Sequence, residues 1–250
     1  MLKEAMKYFL ETSKPEIVDI KGRKYSDKNM KQIAEEKYPA AIQLTTLTGL
    51  IDYLAFENLR SERDSELILQ VVSPTKVMLY SKLDYDQNRK HYVEVNEDLP
   101  KIDFGEYSDQ EHFIISLKTK FVQTEDPESD LNLLVRFAGT AEGSTLRAYK
   151  DDGFSQSVTI SDGVASKSQA VVPNPVSLRP YRTFLEVEQP ESMFVFRMKE
   201  ERGMRCALFE ADGGAWKYHA VQNIRKYLED AIAEMGVGDV GLNQLISVIA

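Results

Sequence analysis

Cysteine is nearly absent from this chain of 250 residues. The lone Cys206 has no partner for an intrachain disulfide and rules out a zinc site built from cysteines, which fits a reducing compartment. Histidine is scarce too. His91, His112 and His219 lie far apart in different predicted elements, so a histidine metal site would need the fold to collect them. No run reaches the roughly eighteen apolar residues that span a bilayer. The first ten residues interleave charge with apolar side chains and do not read as a signal peptide. Basic charge is in deficit, 31 Lys and Arg against 40 Asp and Glu, for a net charge of -9. Such a surface repels phosphate backbones and excludes a general polyanion binder. Phosphate-loop, dinucleotide-fold, nucleophile-elbow and zinc-protease motifs are missing as well, so those enzyme classes lose their usual supports.

What is present divides along the chain. Residues 1–62 read as a mainly helical N-terminal segment: a helix to about Thr12, a strand over 16–20, a turn at 21–23, a polar helix after Ser26, and a stronger helix from Ile42. In that last helix Leu44, Leu47, Leu50, Ile51 and Leu54 recur at mostly helical spacing, the pattern of a buried face. An exposed charged connection over 60–66 follows.

Residues 63–236 read as an α+β core domain, a largely antiparallel sheet with helices on one face. Residues 67–72 and 76–80 flank Ser73-Pro74-Thr75 as a hairpin, and 90–95 is a third strand. Ser108 with Glu111 three residues on predicts a capping box ahead of Phe113, Leu117 and Phe121, and a second helix starts at Ser129. Strands are expected at 158–160, 164–166, 185–188, 193–198 and 205–209, with an extended, proline-stiffened edge at 171–175. A helix from about Val221 covers the sheet, with Trp216 as a packing anchor before it. Residues 237–250 form an apolar tail that must dock on its own core or on a neighbouring subunit.

Two groups of residues carry candidate chemistry. Arg179, Arg182 and Arg197, with Tyr181 and Phe184 between them, resemble a platform that stacks bases and grips phosphates, or a protein interface. Glu186, Glu188 and Glu191 lie within reach of the same arginines, and a structural ion-pair network is the stronger reading. Asp151, Asp152, Glu210 and Asp212 sit in two acidic turns that could meet at a sheet edge and hold Mg²⁺, although Asp before Gly is also ordinary turn chemistry. Cys206, within an apolar strand, reads as a small core residue. The segment 172–217 holds seven basic and seven acidic residues, so a local site survives the acidic surplus.

The stretches Asp151-Asp152-Gly153-Phe154-Ser155-Gln156, Val172-Pro173-Asn174-Pro175, 178–192 and 209–217 together resemble an uncharacterised family of phage and prophage proteins from Gram-positive bacteria, over about Leu47 to Leu228. The resemblance implies a setting, the early replication and recombination region of a temperate phage in the bacterial cytoplasm, and brings no activity or site residue with it. The expectation is a non-catalytic accessory protein that self-assembles and binds a protein partner, with no catalytic residue, metal, cofactor or membrane. Two alternatives stay open: a binder of single-stranded nucleic acid or a nucleotide, acting in replication, recombination or anti-defence, and a metal-dependent phosphate-cleaving enzyme.

Overall fold

The computed structural model describes residues 2–20, 23–26, 40–55, 66–84, 87–140, 150–151, 156–162, 166–172, 174–236 and 246–250. The fold is α+β. The chain divides into two compact units, Met1–Pro39 and Ala40–Ala250. The division falls well before the expected boundary at 62, because the helix near residue 50 is built into the second unit's core.

The first unit contains helix α1 (Leu2–Thr12) and the hairpin β1 (Ile17–Ile20) and β2 (Arg23–Ser26), paired antiparallel from Ile17 opposite Ser26. The polar helix expected after Ser26 lies outside the described residues. No residue of α1 is buried.

The second unit opens with β3 (Ile42–Leu44) and α2 (Leu47–Ala55). The sequence pattern suggested continuous helix from Ile42. Instead Ile42, Gln43 and Leu44 pair parallel with Val93, Glu94 and Val95, and a sheet ladder overrides the local period. Thr46 then caps the helix, its Oγ1 accepting from the Gly49 amide at 3.1 Å. The expected hairpin is β4 (Leu67–Ser73) and β5 (Lys76–Ser81), and the third strand is β6 (His91–Asn96).

Next come β7 (Ser108–Asp109), α3 (Gln110–Thr119) and α4 (Asp130–Thr140). Asp109, not Ser108, caps α3 by accepting the His112 amide at 3.0 Å, since Ser108 is held in register with Cys206. The remaining elements are β8 (Lys150–Asp151), β9 (Gln156–Asp162), β10 (Ser166–Val172), β11 (Val176–Leu178), β12 (Ser192–Glu200), β13 (Met204–Glu210), α5 (Trp216–Gly236) and β14 (Ile246–Ile249). Two expectations shift here. The second strand of the β9–β10 hairpin absorbs Val171 and Val172, which were expected as a separate extended edge. Residues 185–188 form a turn, not a strand, with the Val187 amide donating to the Phe184 carbonyl at 3.3 Å.

Two sheets form the body, and a smaller three-stranded sheet has the order β10-β9-β8. A five-stranded sheet has the order β14-β4-β5-β6-β3, antiparallel in the middle and parallel at both edges. Its alternating Leu69, Val71, Val77, Leu79, Val93 and Val95 pack with Leu47, Leu50 and Leu54 of α2 and Ile224, Leu228 and Ile232 of α5. A four-stranded sheet, β11-β12-β13-β7, presents Phe194, Phe196, Met198, Cys206 and Leu208 to Phe113 and Leu117 of α3 and Leu131, Leu134 and Phe137 of α4. The apolar tail docks on its own chain: β14 pairs parallel with β4, Ile246 opposite Leu67, and Ile246 is buried in the same core. Among the described residues no helix is long and apolar enough to cross a membrane.

Candidate functional site

The stretch between β11 and β12 carries four of the five candidate binding residues, and it joins the two cores. Its entry is fastened to the end of α3: the Val122 amide donates to the Arg179 carbonyl at 2.8 Å, and the Tyr181 amide to the Lys120 carbonyl at 2.9 Å. Its middle is organised by the buried Gln189, whose Oε1 accepts from the Arg182 and Thr183 amides at 3.0 and 3.3 Å. The Gln189 amide group donates back to the carbonyls of Thr183 and Phe184 at 3.2 and 3.0 Å. One side chain thus satisfies the backbone of a buried loop, which no ladder serves.

From this frame the side chains diverge. Phe184 is fully buried among Leu50, Leu69 and Leu228 in the aliphatic core. Thr183 Oγ1 donates to the Pro74 carbonyl in the β4–β5 turn. Glu186 accepts from the Thr48 amide at 3.2 Å, placing a carboxylate at the N-terminus of α2, where the unsatisfied amides and the helix dipole favour it. Asn223 of α5 donates to the Glu188 carbonyl at 2.8 Å.

Arg182 points toward the other core. Its side chain is 7 % exposed, its guanidinium carbon lies 4.0 Å from the centre of the Trp216 ring, and the rings of Phe194 and Phe104 are 5.5 and 5.7 Å away. Nη1 donates to Glu210 Oε1 at 2.6 Å and Nη2 to the Ser192 hydroxyl. Burial pulls the guanidinium below its ordinary pKa, while the carboxylates of Glu210 and Asp212 act to keep it charged. Burial acts on Asp212 in the opposite sense. The Gly214 amide, 3.0 Å from Oδ1, the Ser192 hydroxyl, Arg182 and the Trp216 amide outweigh it and hold that carboxyl below its usual range. Among the described residues Arg182 Nε, Asp212 Oδ2 and Trp216 Nε1 are buried polar atoms without a hydrogen-bond partner, so the cluster rests on the ion pair, the bonds to Ser192 and Gly214, and the aromatic faces.

The five candidate binding residues do not share a surface. Arg182 and Phe184 are interior. Tyr181 is half-buried. Arg179 is exposed and pairs with Glu188 at 3.3 Å. Arg197 projects from the face of β12 opposite Phe194, Phe196 and Met198, by strand alternation. The acidic group separates in the same way. Glu210 and Asp212 belong to Arg182, while the backbone of Asp151 lies in β8, in a different sheet, and Asp152 lies outside the described residues. Among the described residues no three His, Cys, Asp or Glu gather where they could hold a metal. Burial pushes the Cys206 thiol up to about 12, which makes it a core residue and a poor nucleophile.

Two features escaped the sequence reading. A cavity of about 250 Å³ opens between α3 and the loop before β7, lined in part by Phe104, Tyr107, Ser116, Lys120 and Phe121. His112 stands on its wall with Nδ1 2.6 Å from Asp109, but among the described residues no hydrogen bond joins His112 to Ser108 or Ser116. The second is Glu97, just after β6, whose carboxyl is pushed up to about 7 by burial and by the neighbouring carboxylates of Glu186 and Asp98. Burial comes first among these causes, and the share from Glu186, 89 positions away in sequence, is one that local pattern does not reveal. No family model, curated protein or solved structure matches the chain.

Proposed function

We propose that the chain is a non-catalytic accessory protein that self-assembles and acts by binding a protein partner, in the early phage programme in the host cytoplasm that its resemblance implies. The observation that carries this reading is α1, an eleven-residue helix with every residue exposed and with Leu2, Ala5, Met6, Phe9 and Leu10 on one face. A helix this short is marginal in water and gains stability from packing an apolar face. The docked β14 strand removes the tail as a reason for assembly and shifts the weight to α1. The arginines and acids that suggested chemistry support the same reading, because Arg182, Glu210 and Asp212 serve each other and an anion reaching Arg182 would have to displace Glu210. Light scattering on the eluting protein over a wide concentration range tests the assembly. A species larger than one chain is expected, and a monomer at every concentration would sink the self-assembly reading.

A further inference from the structure

The exposed stripe of α1 also defines what covers it. We infer that α1 is the subunit contact, packed antiparallel against α1 of a second copy across a two-fold axis, an inference that rests on the self-assembly reading above. The exposures are large: Leu2 83 %, Met6 63 %, Phe9 78 % and Leu10 65 %. Together they offer roughly 600 Å² per helix, so a pair buries at most about 1,200 Å², the lower limit for a specific stable interface. The area suits a dimer of modest affinity.

Charge and shape select the occupant. The rest of the helix carries Lys3 and Lys7 against Glu4 and Glu11, which sum to zero. An interfacial membrane helix needs a polar face rich in Lys and Arg, and a charged partner needs an excess of the opposite sign. A balanced helix meets neither need, and pairs with its own copy without net repulsion. The stripe is also self-complementary. Phe9 and Ala5 lie one turn apart, so in an antiparallel pair the large ring of one helix sits over the small side chain of the other, twice by symmetry. In that register Leu2 approaches Thr12 of the second copy.

The experiment uses the full chain and three sets of variants. Phe9→Glu buries a charge at the centre of the contact and is expected to raise the dimer dissociation constant by about 100-fold or more in sedimentation equilibrium. Lys7→Glu, on the opposite face, is expected to leave it within about threefold. Because no residue of α1 is buried, both variants should melt as the parent chain does at concentrations below the parent's dimer dissociation constant. Mixed Leu2→Cys and Thr12→Cys chains should form a disulfide-linked heterodimer on mild oxidation, while Leu2→Cys alone should not cross-link.

If the parent chain dimerises and Phe9→Glu dimerises equally well, the contact lies elsewhere, and the inference fails while self-assembly stands. If the parent chain is monomeric throughout, both fail. Efficient cross-linking of Leu2→Cys alone overturns the antiparallel arrangement. Cosedimentation of a monomeric parent chain with phosphatidylglycerol–phosphatidylethanolamine vesicles, lost in Phe9→Glu, would show that lipid covers the stripe and overturn the inference.

Discussion

The four-stranded sheet is packed with phenylalanine and the five-stranded sheet with leucine and valine. Phe113, Phe121, Phe137, Phe194 and Phe196 fill the first core, and Phe194 stacks on Phe104 at 4.9 Å between centroids while Phe137 meets Phe196 edge-on at 6.1 Å. In the second, among the described residues, Phe184 is the one fully buried aromatic side chain, set among Leu, Val and Ile. Rings bring large area and directional contacts, so a few of them fix the helices on the smaller sheet. Aliphatic side chains interlock by shape and depend on many distant strands being in register. The unusual residues of 178–192 sit between the two: Arg182 is placed against the aromatic side and Phe184 in the aliphatic side, two residues apart, so the candidate site is the joint between two unlike cores.

The largest losses are expected within the cores. Phe196→Ala is expected to cost about 4 kcal/mol and Leu79→Ala about 3 kcal/mol, as measured by urea unfolding. Equal and small losses would mean that the aromatic contacts add nothing beyond area. At the joint, Arg182→Met leaves Asp212 and Glu210 without their cation, and Glu210 can hydrate in part because it is half-exposed. A loss of about 3 kcal/mol is expected, with faster alkylation of Cys206 in the native protein as its core opens more often. Unchanged alkylation and an unchanged midpoint would show that the joint carries no load. Ile246→Ala at the sheet edge should cost about 2 kcal/mol, and full stability without that side chain would argue against the parallel β14 pairing.

The smallest effect separates the halves by pH. The Glu97 carboxyl titrates at about 7 in the folded chain, against 4.5 as its ordinary value, so the folded state binds the proton more tightly. Its contribution is full below about pH 4.5 and is lost as pH rises through 7. Because the group is only partly buried, the loss is about 1 kcal/mol after allowing for solvent screening. Glu97→Gln should therefore match the parent chain near pH 5 and exceed its stability at pH 8, and a difference that does not change with pH would contradict the assigned environment.

Much of this architecture was legible in the sequence where the pattern is local. The 67–81 hairpin, the 91–96 strand, the helices at 110 and 130, and the paired strands 192–200 and 204–210 follow from alternation and turn chemistry, and the structure places them within a few residues of the sequence reading. What failed was decided by partners far away in sequence. Ile42–Leu44 is helical by period and extended by pairing with β6, and 185–188 alternates like a strand but is bent by the hydrogen bonds of Gln189. Arg179 pairs with the nearby Glu188, as the spacing suggests, whereas the carboxylates that receive Arg182 are Glu210 and Asp212, not Glu186, Glu188 or Glu191. Strand alternation shows which face a residue takes; it does not show which sheet will lie against that face.

The pairing of β14 with β4 also sets an order of events. Ile246 and Leu67 are about 180 residues apart, so the aliphatic core closes only after a very large loop has been brought together. The aromatic core, assembled from residues between 102 and 208, has all its pieces earlier. During synthesis one half of the unit can therefore consolidate while the other still exposes an unfilled sheet edge, and amide protection in refolding should reach Phe196 before Leu69. The exposed β4 edge is the place where a chaperone, or a second nascent chain, would meet this protein first.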